Sequence, residues 1–272
     1  MSTRFPLSFL LSGTVLLLLL FVAIFAPLIA PYQPTEILTQ PFEQPSRAHL
    51  LGADSLGRDL LSRTIFGLRY TLGISLLVTI ASCFLGVTLA ITAAVRKGWL
   101  DLVIGRAVDT IMAIPQIIFA LIVLAVAGVS VTTLICTMIV LESTLFFRIL
   151  RATAGDIAAM EYIEVARLRG EPLSWYIFRE VLPNLAPTLI AEFGLRFAFA
   201  SLFISALSFL GVGIQPPAAD LGGLVRENAL AISIGRGAPL VPAFVIATIA
   251  IATNGIVDLF VRKYSIRSEL MQ

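Results

Sequence analysis

Charged residues, lysine, histidine and cysteine are all scarce in this chain. Of its 272 residues only 13% are charged, about half of the roughly 25% that a soluble domain carries. The formal net charge of +2 is small, and no basic cluster points to a nucleic-acid partner. With 58% hydrophobic residues and a mean hydropathy of +0.97, the composition predicts an integral membrane protein.

The scarcity of reactive side chains excludes several kinds of site. Cys83 and Cys136 each lie in an apolar run, where a thiol behaves as a small hydrophobe, so no disulfide framework is expected. His49 is the single histidine and has no neighbouring histidine or cysteine, which favours a packed or surface histidine over a metal ligand. No HExxH or GxSxG motif and no pair of carboxylates within an apolar run appears, so neither a catalytic nor a metal site is predicted.

The chain has only two lysines, Lys97 and Lys263, and no Gly-Lys-Ser/Thr phosphate-binding loop. It therefore cannot bind ATP by that motif, and any energy from ATP has to come from another polypeptide.

Long apolar runs define the predicted fold. A helix needs roughly 20 apolar residues to cross a hydrocarbon core of about 30 Å. The run from residue 110 to 147 is almost twice that length, and Gly128 to Ser130 is the expected hairpin within it. We predict an all-α integral membrane protein of a single domain, residues 1–272, with six transmembrane helices at about 9–30, 70–95, 110–127, 131–147, 187–212 and 239–260.

The distribution of Lys and Arg predicts the orientation. With a cytoplasmic N-terminus, the inner segments hold twelve basic residues and the outer segments six. The positive-inside rule therefore places both termini in the cytoplasm of a multi-pass protein. A cleaved signal peptide at the first span is the alternative, since Ala26 and Ala30 are small. The apolar stretch is longer than a typical signal peptide core, and its loss would leave five spans.

Two hydrophilic segments remain. Residues 31–69 open Pro-rich and end in alternating charges, which predicts an ordered, irregular external lobe. Residues 148–186 are predicted to be two short cytoplasmic helices, with Gly170 ending the first, Pro172 in the first turn of the second and Pro183 ending it. The apolar face of the second helix, with Trp175 and Phe178, favours a docking surface for a soluble partner over an ordinary solvated loop.

Three blocks of sequence resemble a known family. Residues 161–170 read EYIEVARLRG and are followed by Leu182-Pro183-Asn184, which resembles the EAA signature of bacterial ABC importer permeases. Residues 49–63, HLLGADSLGRDLLSR, and 206–217, ALSFLGVGIQPP, are similar to blocks of the dipeptide, oligopeptide and nickel permeases. The resemblance covers nearly the whole chain and indicates the second, C-type, permease subunit.

The resemblance implies a function and a set of partners. It implies a permease for peptides or for nickel and other metal complexes, in a bacterial inner membrane. The implied partners are a second homologous permease, two ATPase subunits that hold ATP and Mg²⁺, and an extracytoplasmic binding protein. No cofactor is expected in this chain.

The same resemblance implies two groups of site residues. The ATPase-coupling residues would be Glu164, Val165, Ala166, Gly170, Leu182 and Pro183. The external face toward the binding protein would include Gly52, Asp54, Gly57, Arg58, Asp59 and Arg63. The chain departs from the family pattern at Val165, at Leu221-Gly222-Gly223 and at Glu142-Ser143-Thr144.

The last departure and a polar stripe are candidates for the substrate path. Glu142 lies within the predicted fourth span, where an ionisable group usually faces the bundle interior or a wet cavity. Ser201, Ser205 and Ser208 share one face of the fifth span. A carboxyl group packed against another helix, and serines that allow close helix approach, are the alternatives. Glu192 and Arg196 are expected to form an ion pair.

The alternative function is an ion-coupled secondary transporter or a channel, which would show internal repeats with interrupted helices. No such repeat is seen in the sequence. The sequence does not choose among dipeptides, longer peptides, nickel, metal chelates and antimicrobial peptides as substrate.

Overall fold

The computed structural model of the protein describes residues 7–96, 98–161, 165, 168–172, 175 and 177–269. Over these residues the chain is nearly all helical, and β structure is limited to two isolated bridges, Ile37 to Arg58 and Ala53 to Asp59. The helices are α1 (Leu7–Ile24), α2 (Ala26–Ile29), α3 (Leu60–Arg96), α4 (Trp99–Met112), α5 (Gln116–Ala127), α6 (Val131–Ala158), α7 (Leu182–Phe209), α8 (Leu221–Glu227) and α9 (Leu240–Glu269). A π-helical turn, Ile177–Val181, leads into α7, and a 3₁₀ helix, Ala229–Ile234, follows α8.

Four helical segments are long and apolar enough to cross a membrane: α3, α6, Ile177–Phe209 and Leu240–Phe260. Helices α4 and α5 meet at 89° and add a fifth if the pair forms one broken span. Helix α1 is apolar but shorter. The predicted all-α membrane architecture is confirmed, whereas the count of six spans stays a prediction.

Helix α3 begins at Leu60 rather than at residue 70, so its first turns lie in the segment predicted to be irregular. Asp59 explains the early start, because its Oδ2 accepts from the backbone N–H of Ser62 at 2.8 Å and caps the helix. Likewise α6 runs on to Ala158, into the predicted coupling segment 148–186. Apolar run length indicates where a chain can cross lipid, but a helix continues beyond it wherever its ends are capped or packed.

The prediction that Pro183 ends a helix is wrong. Residues 177–181 form a π-helical turn that continues directly into α7, and Pro183 lies in the first turn of α7. Proline is tolerated there because its missing N–H would have no partner within the helix. Gly170, by contrast, has the predicted positive φ, of 76°.

The centre of the fold is the contact between α3 and α6. Ala90 and Ala94 of α3 pack with Phe146, Phe147 and Leu150 of α6 in one buried cluster. A Cβ on Gly86 would overlap that of Phe146 and lie 2.9 Å from the carbonyl oxygen of Ser143. Small residues on α3 therefore let the two backbones approach closely, as is usual between helices in membranes.

The helices give the molecule two distinct ends. At one, here called the lobe end, residues 30–59 pack beside the start of α3 and helix α8. At the other, here called the opposite end, lie Arg96, α4 and the end of α6. There the guanidinium group of Arg151 on α6 binds the carboxylate of Asp101 on α4 through two bonds of 2.6 and 2.7 Å.

Candidate functional site

A buried group of charges, here called the lobe cluster, joins the lobe to helix α8. It consists of Asp54, Arg58, Arg63 and Glu227. Arg58 Nε donates to Asp54 Oδ2 at 2.7 Å, and Arg63 Nη1 donates to the same oxygen. The two arginines also donate to Glu227 Oε2, at 2.9 and 2.7 Å. Since Asp54 is fully buried and Arg63 is 2% exposed, the cluster is an internal brace between segments far apart in sequence.

Asp54 is ionised within this brace. Its burial alone would raise its pKa, but the backbone N–H groups of Arg58 and Leu56 and the charges of both arginines hold the pKa below its ordinary value. The turn that supplies these N–H groups needs Gly57, whose φ is 80°. A side chain there would also overlap the carbonyl oxygen of Thr39. The charge of Asp54 and the shape of the turn therefore depend on each other.

Asp59 organises a second set of contacts in the lobe. Its carboxylate accepts from the backbone and the hydroxyl group of Ser62 at 2.8 and 2.7 Å, and it lies 3.2 Å from Nδ1 of His49. His49 is 8% exposed and stacks at a tilt on Tyr32. This agrees with the expected packed histidine.

The six residues predicted for the external face thus support the lobe from inside. Asp54, Arg58, Asp59 and Arg63 are buried, while Gly52 and Gly57 hold turns with positive φ. A partner would touch the lobe through the exposed residues around them. That the lobe meets a binding protein remains a prediction.

Helix α8 is an element of the site that sequence analysis missed. Asp220 caps its N-terminus by accepting from the N–H groups of Gly222 and Gly223. The backbone N–H of Leu221 donates to Thr71 of α3 at 3.1 Å. Burial is the main cause that raises the pKa of Asp220 to about 6. The Asp220-Leu221-Gly222-Gly223 sequence was a usable signal for this cap, whereas nothing local to Glu227 reveals partners more than 160 residues away.

The polar stripe of the fifth span lies in the interior of the subunit. The hydroxyl group of Ser201 donates to the carbonyl oxygen of Phe197, and Oγ of Ser208 accepts from the N–H of Ile214. The backbone of Ser205 packs against Gly222 of α8, and its Oγ has no hydrogen-bond partner among the described residues. The three serines allow close packing here, and a role in the substrate path stays a prediction.

Glu142 is buried in the middle of α6. It is 3% exposed, and in the part of the chain that the structure describes its Oε2 has no hydrogen-bond partner. The charges that act on it are those of Glu192 and Arg196 on α7. These two residues form the predicted ion pair, at 3.1 Å. Glu142 therefore adds an uncompensated polar atom beside a paired acid and base.

Those of the predicted coupling residues that the structure describes lie at the opposite end. Val165 and Gly170 are exposed, as is Leu168 between them. Leu182 packs on the α3–α6 cluster, and Pro183 is exposed. Glu164 and Ala166 lie outside the described residues.

Within the described part of the chain, no three His, Cys, Asp or Glu side chains gather as a metal site would require. Cys83 and Cys136 are free thiols.

Family models match the chain in two places. Residues 86–266 match the binding-protein-dependent transport system inner membrane component. Residues 8–50 match the N-terminal transmembrane domain of oligopeptide transport permease C.

Several characterised proteins are similar over most of their length. The glutathione transport system permease protein GsiD of Pectobacterium atrosepticum is 30% identical over 89% of this chain and 81% of the relative. The dipeptide transport system permease protein DppC of Haemophilus influenzae is 29% identical over 88% and 83%. The di/tripeptide transport system permease protein DppC of Pseudomonas aeruginosa is 34% identical over 78% and 72%.

The fold has a counterpart among solved structures. A crystal structure of an amino acid ABC transporter with histidines superposes with a TM-score of 0.58 at 18% identity, over 75% of this chain and 94% of that one. This likeness supports the fold alone. The family match spans two thirds of the chain, from α3 into α9, and includes the segment whose residues resemble the EAA signature. The chain belongs to the family of binding-protein-dependent transport system inner membrane components.

Proposed function

We propose that this protein is the C-type permease subunit of an ATP-driven importer for dipeptides and related short peptides, glutathione included. The observation that carries the proposal is the agreement between two family matches that together cover most of the chain and the relatives named for dipeptide, di/tripeptide and glutathione transport. Those names favour peptides over nickel.

Family membership decides against the alternative of an ion-coupled carrier or channel, and it makes the chain a transport component rather than an enzyme. A binding-protein-dependent system implies an ATPase and a binding protein as partners. We further propose two ATPase subunits and one homologous permease, with both termini in the cytoplasm.

Energy would enter at the opposite end, through the segment between α6 and α7. Support comes from its exposed apolar side chains, Leu168 at 83% and Val165 at 51% exposure. Apolar side chains exposed together favour contact with a partner over contact with water. The segment continues through the π-helical turn into α7, so a displacement there would be transmitted to a transmembrane helix. The lobe end would then receive the binding protein.

The test is uptake by the reconstituted complex. The permease is purified with the subunits that accompany it and placed in vesicles with the binding protein and a labelled dipeptide. We expect the dipeptide to accumulate only when ATP is present on the side of the membrane that carries the ATPase subunits. A proton or sodium gradient should not substitute for ATP. Accumulation driven by an ion gradient without ATP would overturn the proposal, and nickel uptake without peptide uptake would overturn its substrate.

A further inference from the structure

An apolar groove runs along the side of the bundle between α3 and the helix that continues from the π-helical turn. It encloses about 640 Å³. One wall extends from Ile80 to Thr92 on α3, and the other from Ile177 to Phe193. Phe84 and Phe178, on opposite walls, are 76% and 67% exposed. We call this feature the α3–α7 groove; Leu182, one of the predicted coupling residues, is among the residues that line it.

The lining offers almost nothing to a polar ligand. Among the described residues that line it, the hydroxyl groups belong to Thr88 and Thr92 and donate to carbonyl oxygens of their own helix at 2.7 Å. The other polar side-chain atom among these described residues is the thiol of Cys83, and none of them carries a charge. A short peptide carries two charged termini and would lose their hydration here without compensation. A hydrocarbon chain has no charged or polar groups whose hydration would be lost in the groove.

The length of the groove matches one leaflet of a bilayer. The twelve helical steps from Ile80 to Thr92 rise by about 18 Å at roughly 1.5 Å per residue. Half of a hydrocarbon core of about 30 Å is about 15 Å. The groove therefore spans the depth that the acyl chain of a single phospholipid occupies.

In the part of the chain that the structure describes, positive charge without an ion-pair partner lies at the Thr92 end of the groove, whereas Arg196, three residues beyond Phe193, is paired with Glu192. Arg96 follows Thr92 by one helical turn and so lies on the same side of α3. Arg179 directly follows Phe178 on the other wall. Both arginines are exposed, and neither forms an ion pair within the part of the chain that the structure describes. The guanidinium groups of Arg96 and Arg179 lie at the end of an apolar groove, and their positive charge complements the phosphate of a lipid headgroup.

We propose that the α3–α7 groove binds an anionic phospholipid, with an acyl chain along α3 and the headgroup between Arg96 and Arg179. One wall of the groove is the turn that leads from the coupling segment into α7, so the bound lipid links that turn to α3. The assignment to the cytoplasmic leaflet rests on the proposed function. The binding itself depends only on the residues of the groove.

Photolabelling of the complete transporter in lipid nanodiscs tests the proposal. The probe is phosphatidylglycerol with a photoactivatable acyl chain, compared with phosphatidylcholine that carries the same chain, and labelled peptides are mapped by mass spectrometry. We expect phosphatidylglycerol to label residues 80–92 and 177–193 preferentially. Each arginine contributes about 1 kcal/mol, or about fivefold, so Arg179→Gln should lower this labelling about fivefold and the double variant with Arg96→Gln further.

Arg106→Gln is the matched control, because Arg106 is an exposed arginine of α4 that does not line the groove. It should leave labelling unchanged. Equal labelling by both lipids in the unaltered protein would overturn the proposal. Protein cross-linking of the complex that joined the groove to a partner permease, in place of lipid, would overturn it as well. Labelling requires no transport, so a complex that failed to import peptides would refute the proposed function and leave this result standing.

Discussion

At the scale of single residues, burial separates side chains that hold the structure from those that can meet a partner. Asp54 illustrates the first kind, because its carboxylate binds two arginines and two backbone N–H groups while wholly buried. The sequence block that contains it resembles the family over fifteen positions, and resemblance alone does not tell support from contact. The structure assigns Asp54 to support.

Replacement of Asp54 by Asn should therefore destabilise the protein. Removing one partner of a buried ion pair costs about 3 kcal/mol or more, and here Glu227 would be left to balance two arginines. We expect a fall of several degrees in the thermal unfolding midpoint of the purified complex. Glu36→Gln, an exposed acid of the same lobe with no ion pair in the described structure, should change it little. Equal midpoints for the two variants would show that the lobe cluster does not brace the lobe.

Glu142 is the residue at which transport chemistry and packing give opposite expectations. If its carboxylate attracts the positive charge of a substrate, Glu142→Gln should reduce uptake of cationic dipeptides severalfold and leave uptake of acidic dipeptides unchanged. The same vesicles provide both measurements, so altered folding or expression cancels in the ratio. An unchanged ratio would remove Glu142 from the substrate path and leave a buried carboxyl group beside Glu192 and Arg196.

At the scale of elements, the fit between α3 and α6 depends on a residue without a side chain. Gly86 faces Phe146 and the backbone of Ser143, so the distance between the two helices is set there. Such a contact leaves no periodic signal in the sequence, because glycine also marks turns and flexible positions.

Alanine substitutions at two glycines of α3 should have opposite signs. Gly86→Ala introduces a Cβ that overlaps Phe146, and we expect a loss of about 1–3 kcal/mol from forced repacking. Gly73→Ala meets no atom within 4 Å and should stabilise the helix by up to about 1 kcal/mol. Both are measured as shifts of the unfolding midpoint in the same detergent. A neutral Gly86→Ala would mean that α3 and α6 separate easily.

The coupling segment can be tested through the backbone of one residue. Gly170 has φ of 76°, with open space around it, so alanine there strains the backbone by about 1 kcal/mol or more without a clash. We expect Gly170→Ala to reduce peptide uptake per ATP hydrolysed, because the segment between α6 and α7 changes shape. Gly128→Ala also strains the backbone, at φ of 88° and ψ of 145° and in open space, but in the turn between α5 and α6. If both variants kept normal coupling, Gly170 would not be a coupling residue.

At the scale of the whole molecule, the sequence was informative where the physics is local. Apolar runs long enough for lipid predicted the helical membrane fold, and spacing predicted the Glu192–Arg196 pair. The bend of 89° between α4 and α5 and the position of α8 in the fold could not be predicted from the sequence. They depend on contacts such as Leu221 with Thr71, which join residues 150 positions apart. Local residue patterns do not indicate which residues far apart in the sequence come into contact.

A different contact of α8, with α7, connects the two ends of the molecule. Helix α7 begins at the coupling segment, and near its other end the backbone of Ser205 lies against Gly222 of α8. A Cβ on Gly222 would come within 2.6 Å of Cα of Ser205 and overlap its carbonyl oxygen, so Gly222→Ala must push α8 away from α7. We expect the ATPase subunits still to assemble and to hydrolyse ATP at the basal rate, while stimulation by the binding protein is lost. Gly237→Ala, whose Cβ would lie an ordinary 3.7 Å from Leu240, should keep the stimulation. Full stimulation of the Gly222→Ala complex would mean that the signal from the lobe end does not pass through the contact between α8 and α7.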